Sequence, residues 1–232
     1  MEKVDKVTKL ALFDLDHTLI PIDSDHAWGE FTIGLGWVDG PDFKRQNDAF
    51  YEQYKVGTLD VYAYMRFATA AICRQGEKNA LAAHAAFMQQ VVNPAIGEPA
   101  LDLLRQHQQD GDAVVIVTAT NEFVTRPIAT ALGVAELIAV ELERDISPGG
   151  NGWYTGAIRG TASFREGKVT RVDEWLQTHG LDWDTVQTTF YSDSLNDLPL
   201  LEKVSVPVAT NPEPGLRALA TERGWRILEL FD

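Results

Sequence analysis

Two aspartates, Asp14 and Asp16, stand two residues apart directly behind the apolar run Leu10 to Phe13. In an extended chain such neighbours point to the same side, with Cα atoms roughly 6–7 Å apart, so both carboxylates can face one site. Two carboxylates at a strand end are costly unless a cation sits between them. A hard divalent ion with oxygen ligands, Mg²⁺ by default, neutralises them. A lone Asp-x-Asp reads more simply as a strand running into a solvated acidic turn. The apolar residues on both sides, Leu10 to Phe13 and Leu19 to Ile22, weigh against that, and partners downstream decide it.

Those partners exist. Thr118 follows the apolar run Ala113 to Val117 and leads into Ala119-Thr120-Asn121. A hydroxyl there, with backbone N–H groups at the start of the next helix, makes a phosphate cradle. Ser192-Asp193-Ser194-Leu195-Asn196-Asp197 follows Thr188 to Tyr191 and holds two more carboxylates and a carboxamide. Asp193 taken alone also reads as a helix cap. Lys168 opens a helix behind Gly167, where its charge opposes the helix dipole and favours an anionic partner elsewhere.

The elements between these groups fall into two textures. Residues 1–20 and 95–232 alternate apolar strands with amphipathic helices. The strands are Leu10 to Phe13, Ala113 to Val117, Leu137 to Leu142, Thr188 to Tyr191 and Val204 to Ala209, with Trp225 to Leu230 as an edge strand. The Gly- and Pro-rich stretch Ser147 to Gly152 before Trp153 to Ile158 reads as a hairpin. Asn211-Pro212 reads as the cap and first turn of a last helix, stopped by Gly224. This alternation predicts an α/β fold, a doubly wound parallel sheet of the Rossmann-like kind, with its ligand crevice at the carboxyl ends of the strands. Residues 21–94 show only helical periodicity: a short helix carrying Trp28, Phe31 and Leu35, then Asp42 to Tyr54, Thr58 to Ile72, and Glu77 to Val92 with Leu81, Ala85, Met88 and Val92 aligned. They predict an inserted α-helical cap domain.

The chain of 232 residues carries a formal net charge of −14, which argues against nucleic acid and anionic membrane surfaces as partners. An anionic substrate therefore needs local positive charge from a metal and a lysine. The single cysteine, Cys73, excludes an internal disulfide and a Cys-based zinc site. The charged start Met1-Glu-Lys-Val-Asp-Lys6 reads as neither a signal peptide nor a membrane span, so a cytoplasmic protein is expected.

Together, Asp14-x-Asp16-x-Thr18, Thr118, Lys168 and Asp193-x-x-x-Asp197 resemble the four signature motifs of the haloacid dehalogenase-like superfamily, in order and in strand placement. The resemblance covers essentially the whole chain. The helical insert looks like the family's C1 cap, and the Ser-Asp-Ser-x-Asn-Asp form of the last motif points to the subgroup with phosphoserine phosphatase and histidinol-phosphate phosphatases. It implies a Mg²⁺-dependent phosphomonoesterase acting through an aspartyl phosphate on a small-molecule phosphate ester. Asp14 is then the nucleophile, Asp16 the acid and base, and Asp14, the Asp16 carbonyl and Asp193 the metal ligands. Crowding by Asp14 and Asp193 is expected to raise the pKa of Asp16. Thr118, the N–H of Ala119 and Lys168 hold the phosphoryl oxygens, while Asn121, Asn196 and Asp197 position substrate and Lys168.

A non-catalytic phosphoryl-binding regulator of the receiver type also uses acids, a Thr and a Lys, but such domains are shorter, uncapped and place their acidic pair on a separate strand. A phosphomutase remains open; Asp16 argues against a dehalogenase. For the leaving group, the resemblance maps the ammonium-binding acid of phosphoserine phosphatases to Asp23, near Asp25 and Glu30. For the matching cap arginine the helix register puts Ala68 in place and Arg66 two residues early, which leaves Arg66 as the candidate substrate-binding residue. A phosphorylated amino alcohol is expected, histidinol phosphate ahead of phosphoserine, with Trp28, Phe31 and Phe67 as an aromatic wall for an imidazole ring.

Overall fold

The computed structural model describes residues 9–231; the charged start Met1 to Lys6 lies outside them. Six parallel strands form one sheet in the order β3-β2-β1-β6-β7-β8, comprising Glu136–Val140, Ala113–Asn121, Lys9–Phe13, Gln187–Ser192, Val206–Thr210 and Arg226–Leu228. The buried runs Leu10 to Phe13 and Val114 to Val117 are apolar without alternation, as strands covered on both faces must be. On one face Leu10, Leu12, Val115, Val117 and Phe190 pack against Val172 and Leu176 of α7 (Glu166–Thr178), Leu200 and Leu201 of α8 (Leu198–Lys203), and Leu216 of α9 (Pro214–Arg223). On the other, Ala11, Phe13, Ile116 and Tyr191 pack against Leu104 of α5 (Glu98–Gln109) and Val124 and Ile128 of α6 (Glu122–Ala131).

The chain order reverses at β1, which has β2 on one side and β6 on the other, and that is where a doubly wound sheet opens a crevice. Register fixes what stands there. Phe13 pairs with Ile116 and with Tyr191, so Asp14, Thr118 and Asp193 follow within two residues of one level across three strands.

Between β1 and β2 lie α1 (Ser24–Gly34), α2 (Gly40–Lys55) and α3 (Val61–Phe87), then a π-helical turn Met88–Val92 and a short helical turn α4 (Asn93–Ala95). Asp23, Asp39 and Asp60 cap the first three, each accepting a first-turn N–H. The two helices expected over 58–92 form one run broken at Gly76, whose φ of 73° and ψ of 169° no helical residue adopts. The expected face is also corrected: Leu81 and Ala85 are exposed, and Ala80, Ala83, His84 and Phe87 are buried along with Met88 and Val92. Leu35 is exposed as well. The strand expected over 137–142 is divided, because Leu142 leaves the main sheet. It begins β4 (Leu142–Arg144), the partner of β5 (Tyr154–Ile158) in a separate antiparallel hairpin held to α3 by the Trp153 indole N–H donating to the Ile72 carbonyl at 2.9 Å.

The insert shares its apolar core with the sheet. Trp28 packs on Phe87 and on Phe123 of α6, with ring centroids 5.3 and 5.5 Å apart, in the same buried cluster as Phe13 and Ile116. Among the described residues no helix is long and apolar enough to cross a membrane.

Candidate active site

Asp14 leaves β1 with its N–H still donating to the Tyr191 carbonyl at 2.9 Å, so its position is set by the sheet. Its carboxylate meets Lys168 from the first turn of α7: Nζ lies 2.7 Å from Asp14 Oδ1 and 2.7 Å from Asp197 Oδ2, with all three side chains buried. Burial lowers the ammonium's pKa, but Asp14 and Asp197 outweigh this and hold it above its usual range. Asp197 is raised by burial to about 6, against the pull of Lys168. The Ser192 hydroxyl also donates to Asp197 at 2.7 Å, fixing the lysine's anchor from within β6.

The Thr18 hydroxyl stands between Asp14 and Asp193, 3.4 Å from Asp14 Oδ2 and 3.2 Å from Asp193 Oδ1, and it accepts the Asp193 N–H at 3.1 Å. Sequence reasoning gave Thr18 no task; its place in the first motif was the available signal. Asp193 is raised by burial, then by Asp14 and Asp197. Among the described residues no three Asp, Glu, His or Cys side chains converge as a metal cage. The donor set nonetheless fits magnesium, which is commonly held by one or two carboxylates plus substrate phosphate rather than by an all-protein cage. Asp14 and Asp193, crowded around one hydroxyl, form such a pair.

Asp16 turns its carboxylate the other way. Oδ1 accepts the Ser24 N–H at 2.8 Å and Oδ2 the Thr120 hydroxyl at 2.9 Å. Its pKa is raised well above the ordinary 3.8, by burial first and Asp23 next; the Ser24 bond opposes this and Asp14 adds less. The expected crowding by Asp14 and Asp193 is therefore not the main cause. Thr120, missed from the sequence, holds this group.

Thr118 is buried and, with Ala119, lines the cleft, its hydroxyl oxygen accepting the Thr120 N–H at 3.1 Å. The cradle is not a helix start as expected. Strand β2 runs to Asn121, but its register against β3 shifts between Val117 and Asn121, which releases Thr118 to Thr120 from the regular ladder. Asn121 does not line the cleft: buried, it caps α6 by accepting the Val124 N–H at 3.2 Å, and its amide faces Asp25 Oδ1 at 3.4 Å. Asn196 lines the cleft but donates to the Tyr54 carbonyl of α2 at 3.1 Å, while Asp197 alone contacts Lys168.

The cleft, about 510 Å³, is closed above by the insert. Asp23 and Asp25 line it. Asp25 is buried, and burial followed by Asp23 raises it to about 7. Glu30 is exposed and does not line the cleft, and neither does the exposed Arg66. The aromatic residues of the cleft are Phe50, Tyr51, Tyr54, Tyr64, Phe164 and Phe231 rather than Trp28, Phe31 and Phe67. Those three are packed against other rings, Phe67 stacking on Phe43 at 4.6 Å. The insert is latched beside the wall. Arg165, just ahead of α7, donates to the Gly57 carbonyl at 2.6 Å, where α2 ends with Gly57 at φ 72°.

Comparison with known proteins places this geometry. The model of the haloacid dehalogenase-like hydrolases matches residues 11–202. A histidinol-phosphatase of Neisseria meningitidis serogroup C is 42% identical over 94% of this chain and 97% of its own length. A phosphoserine phosphatase of Mycobacterium tuberculosis is 30% identical over 95% of this chain and 70% of its own. A crystal structure of a Bordetella pertussis protein of unknown function superposes with a TM-score of 0.89 at 45% identity, covering 97% of this chain and all of that one. A substrate-bound phosphoserine phosphatase superposes at 0.65 with 18% identity, covering 97% and 94%, a likeness of fold.

Proposed function

Because the chain belongs to the haloacid dehalogenase-like hydrolase family and is a phosphatase, we propose that it hydrolyses a small phosphorylated amino alcohol, histidinol phosphate first, through a phosphorylated Asp14. Asp14 attacks phosphorus as the bond to the leaving oxygen breaks, and Asp16, whose carboxyl burial favours in its protonated form, gives its proton to the departing alkoxide. Asp16, now a carboxylate, takes a proton from water as that water attacks the aspartyl phosphate, releasing inorganic phosphate and free Asp14. Thr18, Thr120, Ser192 and Asp197 hold the participating groups, and Lys168, Thr118 and the Ala119 N–H face the phosphoryl oxygens as charge builds on them. Magnesium, held by Asp14, Asp193 and the Asp16 carbonyl, would add positive charge against the same oxygens.

The observation that carries the leaving group is Asp25: a buried carboxylate, with no ion-pair partner among the described residues, on the wall formed by Phe50, Tyr54 and Tyr64. An unpaired buried acid favours a cationic guest, and aromatic faces add to that attraction. The 42% identical relative named histidinol-phosphatase supports the same reading. Phosphoserine is the second reading, favoured by Lys55 on the cleft wall, although Glu52 engages that lysine. The deciding measurement is kcat/KM for histidinol phosphate, phosphoserine and phosphoethanolamine. Histidinol phosphate should lead, and a tenfold lead for phosphoserine overturns the assignment.

A further inference from the structure

Asn211 follows β7 and was expected to cap the last helix. The cap position belongs to Glu213 instead, and α9 begins at Pro214. Asn211 sits in the left-handed region at φ 46°, a conformation that asparagine tolerates better than other side chains do. Its N–H donates to the Leu228 carbonyl at 2.8 Å. Its side-chain amide then binds in two directions. Nδ2 donates to the carbonyls of His17 and Thr18, at 3.0 and 3.2 Å, in the turn that carries Asp16. Oδ1 accepts the N–H groups of Leu230 and Phe231, at 2.6 and 3.3 Å. One side chain thus joins the segment after β8 to the catalytic turn.

Phe231 is half-buried, and it lines the cleft together with His17, Asn211 and Glu213. An aromatic ring left at a cleft wall, with its own backbone tied to the loop of the reacting groups, is placed to touch what enters. We infer that Phe231 forms part of the leaving-group pocket, and that Asn211 is the positioning residue that keeps it there. Selectivity for ring-bearing leaving groups is then set from below by the segment after β8 as well as from above by the helical insert. This rests on the cleft being the phosphatase site, not on which ester it prefers.

The experiment compares kcat/KM for phenyl phosphate and phosphoethanolamine. Phe231→Ala should lower the phenyl-to-ethanolamine ratio by about three- to tenfold, the worth of an aromatic contact. The loss should appear in KM for phenyl phosphate, because the contact is the same in ground and transition states. Asn211→Gly, which keeps the left-handed backbone and removes the amide, should lower the ratio in the same direction. Asn211→Asp keeps the acceptor for Leu230 and Phe231 but sets a carboxylate oxygen against the His17 and Thr18 carbonyls, so it too should lower the ratio. An unchanged ratio in Phe231→Ala overturns the pocket assignment. A ratio in Asn211→Gly equal to the parent's overturns the positioning role. Should Phe231→Ala fail to fold, Phe231→Leu carries the same comparison. A parent enzyme that prefers phosphoserine to histidinol phosphate refutes the proposed substrate, while the phenyl-to-ethanolamine ratio still decides this inference.

Discussion

Replacing Asp25 by Asn isolates the group on which the substrate reading depends. The asparagine keeps the size of the side chain and an oxygen for the Asn121 amide, which lies 3.4 Å away. It removes the charge. Raising a carboxyl from its ordinary 3.8 to about 7 makes its ionised form roughly 4 kcal/mol less stable in the folded chain than in the unfolded one, at about 1.36 kcal/mol per pH unit. The sign follows from which state holds the proton. Below pH 4 both states are protonated and the acid costs nothing; as pH rises through 7 the folded chain must ionise a buried group and loses that stability. The Asn variant is spared this loss. Melting in EDTA without substrate should therefore give the smallest midpoint difference between parent and variant near pH 4, where the unfolded chain still holds much of the proton. The variant's advantage should widen to pH 8, with a ceiling of about 8–16 °C for a chain of this length. Activity should move the opposite way, with kcat/KM for histidinol phosphate falling more than that for phenyl phosphate, which has no ammonium. A midpoint difference that is flat from pH 5 to 8, or a variant less stable at pH 8, refutes the account of Asp25 as an unpaired buried acid.

Asp14→Asn should abolish turnover while leaving the melting curve cooperative; activity within a few-fold of the parent refutes its nucleophilic role. Lys168→Ala leaves Asp14 and Asp197 buried without their cation, so it should lower kcat by orders of magnitude and destabilise by about 3–5 kcal/mol, read by urea titration. Millimolar Mg²⁺ should raise the melting midpoint by several degrees in the parent and much less in Asp193→Asn, since an ion that binds only the folded state stabilises it by mass action. Thr120→Val removes a donor to the Asp16 carboxylate, so the alkaline limb of the kcat/KM profile, where the acid is lost, should move to higher pH.

The parallel sheet and the convergence of Asp14, Thr118 and Asp193 were legible because each sits at the end of an apolar run, and parallel pairing brings such ends to one level. Lys168 and Asp14 are 154 positions apart, yet both are announced by local pattern. What was not legible depends on register or on chain return. Helical periodicity marks Trp28, Phe31 and Phe67 as apolar-face residues but does not tell a face turned to the core from one turned to the cleft. The expected face through Leu81 and Ala85 failed because the buried side of that helix runs through Ala80, His84 and Phe87, a neighbouring stripe that periodicity alone does not single out. The burial of Asp25 in the first turn of α1 has no sign in the sequence, where it is one of several acids near Asp23. Asn211 followed by proline has the composition of a helix cap, and only the return of residues 228–231 alongside it shows its other partners.

The cluster shared by Trp28, Phe87 and Phe123 bears on how such a protein diversifies. If residues 21–94 were a self-contained module, they could be exchanged between relatives at two junctions to transplant a substrate preference. Here the exchange would remove Trp28, Met65 and Phe87 from beneath Phe123 and strand the β4–β5 hairpin, whose Trp153 is bonded to Ile72. New specificity is then reached by substitution within the existing insert, at positions such as Phe50, Tyr54 and Tyr64, or by a graft that carries α6 and the hairpin along with it.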